Sequence, residues 1–305
     1  MTEALFSSVL ECEEERKKQK KRRLNVCGVL KILGVSRSGY VRFKKKVPSN
    51  RELRKCVIKE RICEIHKGSH KNYGAPKITE CLKKEGEVIS EKTVGNYMRE
   101  MGIKAQYTKP YTVTTRDSDF SSKLKNILDE NFNPIEPDVA WCSDITYIWT
   151  SEGFVYLTSI MDLYSRKIIS WVLSDTLEAK WVTEAVEKAK AARKVKKPLI
   201  IHTDRGIQYV CKEYITATEG MERSYSKKAY PWDNACIESF HALIKREWLN
   251  RFKIEDYEQA YRLVFEYIET FYNTVRIHSH CGYMSPNEYE KEYGKKLIEM
   301  EFRVA

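Results

Sequence analysis

VAWCSDITYIWTSEGFVYLTSIMDLYSRKIISWVLS, residues 139–174, reads as three strands in a row. Val139, Trp141, Ile145, Tyr147, Ile148 and Trp149 are β-branched or aromatic and suit a pleated, half-buried surface. Ser151-Glu152-Gly153 supplies a hairpin turn. The pattern predicts strands at about 139–149, 153–162 and 166–174. Downstream the period lengthens. It predicts a helix over 177–194, a strand over 199–203, a helix near 207–217, a short strand near 222–226 and a helix over 233–249. Three consecutive strands followed by α/β alternation imply a mixed sheet with helices on both faces. A last helix, 255–273, carries Tyr257, Tyr261, Phe265, Ile268 and Tyr272 in a stripe. At helical spacing such a stripe is expected to be core.

Three acidic residues stand out within this frame. Asp144 lies in the middle of the first strand, where a carboxylate is costly unless paired or bound to metal. Asp204 follows KPLIIHT at the C-terminal end of a buried strand, where ligands gather in open α/β sheets. Glu238 projects from the second turn of the 233–249 helix, with Asp233 or Asn234 placed to cap it. Lys245, seven residues on, shares nearly the same helix face. Any one of these alone would be an ordinary solvated or capping residue. Clustered, three carboxylates repel one another, and bound metal relieves the repulsion. A pair of divalent ions can stabilise both the attacking and the leaving oxygen of an in-line displacement at phosphorus, and Mg²⁺ needs only a few oxygen ligands.

Other polar residues have local roles to fill. Asp162, at the end of the second strand, is expected to fix the turn or pair with Arg166, with a fourth metal ligand as the competing role. His202 fits a strand-end role or a place behind the metal ligands about equally. His278, His280 and Cys281 are too few for a structural metal site and are expected to be structural or DNA-facing, with Arg276.

The charge is uneven. The 305 residues carry a formal +11, and residues 1–135 hold 30 Lys/Arg against 17 Asp/Glu. The basic front half is the better candidate for gripping a phosphate backbone. RKKQKKRR (16–23) ends in Arg22 and Arg23. VCGVLKILGVSRSGYVRFKKK (26–46) predicts two short helices about Gly34, the second capped by Ser36. From Arg51 to Tyr107 three helices follow, with Ile58, Ile62, Ile65, Ile78, Cys81, Leu82, Val94, Tyr97 and Met98 inward. Ser90 caps the last helix, which offers Lys92, Asn96 and Arg99 outward, as a helix-turn-helix would to DNA. An ordinary helical bundle would show the same polar face. Residues 107–137 read as a linker with one short helical pattern at Leu124–Leu128. The domain expectation is therefore 1–50 basic with a short helix-turn-helix, 51–106 helix-turn-helix, 107–137 linker, 138–290 catalytic core and 291–305 tail. Nine cysteines without a C-x-x-C pair exclude a disulfide framework or zinc site. The N-terminus does not read as a signal peptide and no apolar run suits a membrane, so a reducing cytoplasm is expected.

WCSDITYI (141–148), MDLYSRKIISW (161–171), HTDRGIQY (202–209), PWDNACIESF (231–240) and NTVRIHSHCGYMSP (273–286) occur in this order. Over about Leu24–Met300 the chain resembles an insertion-sequence-three family transposase of the second-frame (OrfB) type, with a core similar to retroviral integrases. The resemblance implies an RNase H-like α/β fold behind an all-α helix-turn-helix region. It implies that Asp144, Asp204 and Glu238 form a DDE triad on Mg²⁺, with Mn²⁺ as a substitute. Lys245 matches a basic residue that often follows the Glu. The implied activity is metal-dependent cleavage and strand transfer at the ends of an insertion element in a bacterial, nucleoid-associated setting. Implied partners are terminal-repeat and target DNA, further copies of the chain, and the upstream-frame product or a fusion with it. A non-catalytic DNA-binding regulator and a general nuclease of the same fold are the alternatives. Two departures stand out. The Asp204–Glu238 spacing is about two residues short, within Ile215–Ser226, and Cys281 replaces the usual Leu.

Overall fold

The computed structural model describes residues 2–19, 22–45, 49–105, 124–193, 195, 198–227 and 230–304. Much of the expected linker, 106–123, lies outside them. The chain divides into two compact units, Met1–Arg61 and Ile62–Ala305.

The first unit holds α1 (Thr2–Lys18), α2 (Val26–Ile32), α3 (Arg37–Lys44) and the start of α4 (Asn50–Gly68). The two short helices expected about Gly34 are present. Gly34 adopts φ +66, and the Ser36 hydroxyl accepts from Gly39 N to cap α3. A third element joins them. α1 packs Phe6 and Val9 against Leu30 and Tyr40, and Glu13 accepts from Tyr40 and Lys44. Its acidic surface conceals an apolar pair at i and i+3.

In the second unit α5 (Ala75–Lys84) and α6 (Glu91–Glu100) follow the end of α4. Ile78 and Leu82 are buried, as are Val94 and Met98. Gly86 (φ +90) ends the first helix, and Ser90 caps the second through Thr93 N. This helix pair is fastened to the sheet-bearing part. Tyr73 Oη accepts from Ile277 N at 2.8 Å, Lys84 donates to the Tyr283 carbonyl, and Arg251 binds Asn72.

The sheet has five strands in the order β3-β2-β1-β4-β5. β1 (Ala140–Thr150), β2 (Gly153–Asp162) and β3 (Ile168–Ser174) form an antiparallel meander. β4 (Ile200–Thr203) and β5 (Glu222–Tyr225) run parallel to β1. This is RNase H-like order. α7 (Ala179–Ala192) and α8 (Lys212–Ala217) cover one face. There Val182, Ala185, Val186 and Tyr214 meet Trp141, Ile160, Val172 and Ile201 in the main core. α9 (Ala235–Glu247) contacts β1 and β2, and α10 (Tyr257–Phe265) continues as a π-helical stretch, Glu266–Tyr272. α11 (Pro286–Val304) runs on through the expected tail, and its Glu290 pairs with Arg193 at 2.6 Å.

Three local expectations are corrected. Leu124–Leu128 is not helical. It lies along β5, where Ile127 N and Leu128 N both donate to Ser224 Oγ. The 207–217 helix is broken into a 3₁₀ turn, Ile207–Tyr209, and α8. The 255–273 stripe splits. Ile268 and Tyr272 are core, but Tyr261 and Phe265 are 42% and 45% exposed. The stripe joins two rows, Tyr257-Tyr261-Phe265 and Ile268-Tyr272, at a three-residue step that moves to another face of the helix. The inward rows are Leu263-Tyr267-Phe271 and Val264-Ile268-Tyr272. Tyr257, Tyr261 and Phe265 instead line a cleft of about 820 Å³ with Trp171 and Trp181, which holds none of the three carboxylates. Asp162 takes the first of its two expected roles and fixes its turn by accepting from Asp138 N and Tyr164 N. It does not pair with Arg166, which binds the carbonyls of Phe132 and Leu163. Burial, with Asp138 and Glu290 nearby, pushes the Asp162 carboxyl up to about 7.

Candidate active site

The parallel register sets the first two carboxylates side by side. Ser143 of β1 pairs with Thr203 of β4, the last pair in that ladder. Asp144 and Asp204 each come next, on adjacent strands about 4.8 Å apart. Both line a cavity of about 180 Å³ with Tyr147, Tyr156, Gln208 and Tyr209.

Each is held from behind. Asp204 Oδ1 accepts from Gly206 N at 2.9 Å. A Cβ at Gly206 would stand 3.0 Å from that oxygen and 3.1 Å from Gln208 Oε1, so a larger residue there would press both side chains aside by a few tenths of an ångström. Arg205 turns away and donates to the Ser226 carbonyl. Asp144 Oδ2 lies 3.3 Å from His241 Nδ1, and His241 Nε2 lies 3.4 Å from Ser159 Oγ. Tyr209 stands 3.2 Å from the Ser143 hydroxyl, and Asn234 donates to the Ser143 carbonyl at 3.4 Å. Tyr209 and His241 were not singled out in the sequence. His241 had a visible signal, since it follows Glu238 by three residues and shares its helix face.

Glu238 sits one turn into α9 on an exposed face. The protein around it still displaces enough water to push its carboxyl up, and Asp144 and Asp204 push it further. Glu238 therefore senses both aspartates. Among the described residues no three Asp, Glu, His or Cys side chains are grouped closely enough to hold one ion as placed. The donor set is nevertheless all oxygen, which suits a hard divalent cation. Glu238 is exposed, whereas Asp144 and Asp204 are half-buried.

Lys245 extends to the site mouth, its ammonium 4.4 Å from the Tyr147 ring centroid. Burial pulls its pKa down while Asp144 opposes the shift. Lys92, Asn96 and Arg99 are exposed on α6, and Arg99 donates to Asn96 at 3.0 Å. Arg22 and Arg23 are exposed just before α2, in the other unit.

The remaining polar candidates are structural. His202 is buried between Ser224 Oγ (2.9 Å) and Ser226 Oγ (3.2 Å), and burial holds its pKa down at about 4. His280 Nε2 lies 3.0 Å from the Tyr164 carbonyl, and Cys281 fills a buried place against the Ser165 carbonyl. Neither Asp233 nor Asn234 caps α9 as expected. Asp233 instead accepts from Lys227 N and Asn126 Nδ2.

The integrase core domain family matches residues 135–231 and 219–286, and an HTH-like domain family matches 53–111. The transposase for insertion sequence element IS904 of Lactococcus lactis subsp. lactis (strain IL1403) is 35% identical over 249 residues, covering 80% of this chain and 97% of that protein. The chain belongs to the insertion-sequence-three family of transposases. Transposase InsF for insertion sequence IS3A of Escherichia coli (strain K12) is 30% identical over 273 residues, covering 88% of this transposase and 94% of InsF. The HTLV-2 integrase catalytic core domain, solved with magnesium, is 15% identical with a TM-score of 0.40, over 52% of this chain and 99% of that one. This transposase is thus a polynucleotidyl transferase with an integrase core and an HTH-like region. No helix among its described residues is long and apolar enough to cross a membrane.

Proposed function

We propose that Asp144, Asp204 and Glu238 are the catalytic carboxylates, holding Mg²⁺ or Mn²⁺, and that the chain cuts and joins DNA at the ends of its element. The observation that carries this is the register step that seats Asp144 beside Asp204, with Glu238 shifted by both. A divalent ion bound there supplies charge stabilisation to the attacking and leaving oxygens. The protein does the rest by position. His241 holds Asp144, the Gly206 amide holds Asp204, and Glu238 swings in from α9. Lys245 places a cation at the mouth for a flanking phosphate. Water attacks first, leaving a 3′-hydroxyl at the element end. That hydroxyl then attacks a target phosphodiester, so one P–O bond forms as another breaks and no nucleotide is consumed. Lys92, Asn96 and Arg99 on α6, with Arg22 and Arg23, grip the element ends. Two ends must meet, so at least two copies act together on DNA, with the upstream-frame product as a further partner.

The test is cleavage and strand transfer with end-bearing duplex and Mg²⁺. Glu238→Gln is expected to abolish both while duplex binding persists. Full activity in that variant would refute the assignment.

A further inference from the structure

The free end of the β1–β2 hairpin carries large aromatic rings on its outside. Tyr147, Trp149 and Phe154 are 47%, 65% and 47% exposed. Trp149 is directly opposite Phe154 in the ladder, and Tyr147 opposite Tyr156, so all four share one face. Trp149 and Phe154 meet edge to face at 4.7 Å, and Phe154 meets Tyr147 at 5.3 Å. Single exposed apolar residues are normal. A contiguous row of rings implies an occupant.

Two observations choose that occupant. Tyr147 and Tyr156 line the same cavity as Asp144 and Asp204, so the aromatic row meets the carboxylates at that cavity, although Asp144, three residues before Tyr147, projects from the other face of β1. Lys245 stands over Tyr147, adding a cation beside the rings. Rings interleaved with positive charge suit single-stranded nucleic acid, because every base has a stackable face and every step a phosphate. A duplex hides its base faces within its own stack. The row therefore suits bases that have left the duplex.

We propose that Tyr147, Trp149, Phe154 and Tyr156 form a stacking surface for unpaired bases of the strand whose phosphodiester lies at the carboxylates. This rests on the DNA chemistry proposed above. At about 3.3 Å per residue, Tyr147 and Trp149 lie roughly 10 and 17 Å along the strand from Asp144. With about 3.4 Å per nucleotide along one strand, that reaches the third to fifth base from the scissile phosphate. The surface reads no sequence. It holds an opened DNA end in place.

The test uses the full chain without metal, so it is independent of whether cleavage occurs. The probes are a blunt duplex and the same duplex with five unpaired thymidines at one end, followed by fluorescence anisotropy. A further unpaired-end probe carries 2-aminopurine at the fourth position. Trp149→Ala with Phe154→Ala is expected to lose about 10-fold or more in affinity for the unpaired end and under about twofold for the blunt duplex. The 2-aminopurine signal, quenched by the parent, should stay bright. Trp149→Phe with Phe154→Tyr should restore both. Equal affinity of parent and alanine variant for the unpaired end overturns the proposal. So does an equal loss on both duplexes. Unchanged DNA binding with a smaller assembly mass by light scattering also overturns it, and assigns the rings to a protein contact. Unpaired-end binding that behaves as expected alongside an active Glu238→Gln would instead refute the triad and leave the surface standing.

Discussion

Arg276→Met should be among the most damaging single changes outside the proposed triad. Arg276 is buried and forms a two-point pair with the buried Glu247, Nε to Oε2 and Nη2 to Oε1, both at 2.7 Å. The Tyr267 hydroxyl adds a third bond at 2.9 Å. Burial pushes the Glu247 carboxyl up, but Arg276, Lys77 and Tyr267 outweigh it and hold it below the usual range. Removing the guanidinium leaves a buried carboxylate with one hydrogen bond. Breaking such a pair costs about 3–5 kcal/mol, or roughly 6–20 °C in melting temperature for a chain of this size class. Lys77 offsets part of this. Burial and Arg276 push its amine down to about 7, so without Arg276 it holds its proton better. The pH sign also changes. In the parent, the lowered Glu247 pKa contributes stability above the unfolded value that is lost on acidification. In Arg276→Met burial dominates and raises it, so the deficit narrows as pH falls from 7 towards 4. Glu247→Leu with Arg276→Met removes both charges and should return to within about 1.5 kcal/mol of the parent. Thermal and urea melts of the three proteins at pH 7 and 5 measure this. A single-variant loss below about 1 kcal/mol, or a double variant as weak as the single, would refute the reasoning.

Glu238→Gln should melt no lower than the parent without metal, because the raised carboxyl pKa costs stability at neutral pH, and it should lose any Mg²⁺-induced rise in melting temperature. His202→Gln should flatten the acid sensitivity of the fold. A histidine held at about 4 loses stability as pH falls below its unfolded value near 6.5, up to about 1.4 kcal/mol per pH unit, and melts between pH 7 and 4 record the slope. Lys92→Ala and Arg99→Ala should each weaken element-end binding and lower the log–log salt slope by about one, read by anisotropy across a salt series. An unchanged slope would remove α6 from the DNA surface.

The strands, helices and two aspartates were legible because each rests on local pattern. The run 139–174 alternates and turns at Gly153, and KPLIIHTD ends a buried strand at a carboxylate. What escaped depends on partners distant in sequence. His241 gains meaning only when α9 lies over Asp144. Asp233 looks like a helix cap, yet Lys227 and Asn126 claim its oxygens first. Leu124–Leu128 has helical spacing, but Ser224 offers its backbone amides a better partner. The aromatic stripe failed for a geometric reason, since the three-residue step from Phe265 to Ile268 joins rows on different helix faces.

The placement of Glu238 follows from residues that carry no catalytic signal. At the head of α9, Asp233 is tied to Lys227 and Asn126, and Asn234 to the Ser143 carbonyl beside Asp144. At its tail, Glu247 is locked to Arg276 and Tyr267. With both ends fixed, the Glu238 backbone cannot wander, while its exposed side chain keeps its rotamers. Ordering a glutamate side chain costs about 1.5–2 kcal/mol, little against the attraction of a divalent ion for a third carboxylate. Under the proposed assignment such a site would assemble when ion and DNA arrive, with the two aspartates on neighbouring strands as its fixed part. A shortening of about two residues within Ile215–Ser226, as the family resemblance implies, would be absorbed on the same grounds. That stretch holds the turn at Gly220 (φ +82), where Arg223 closes back on the Thr218 carbonyl. The anchors at both ends of α9 lie outside that turn.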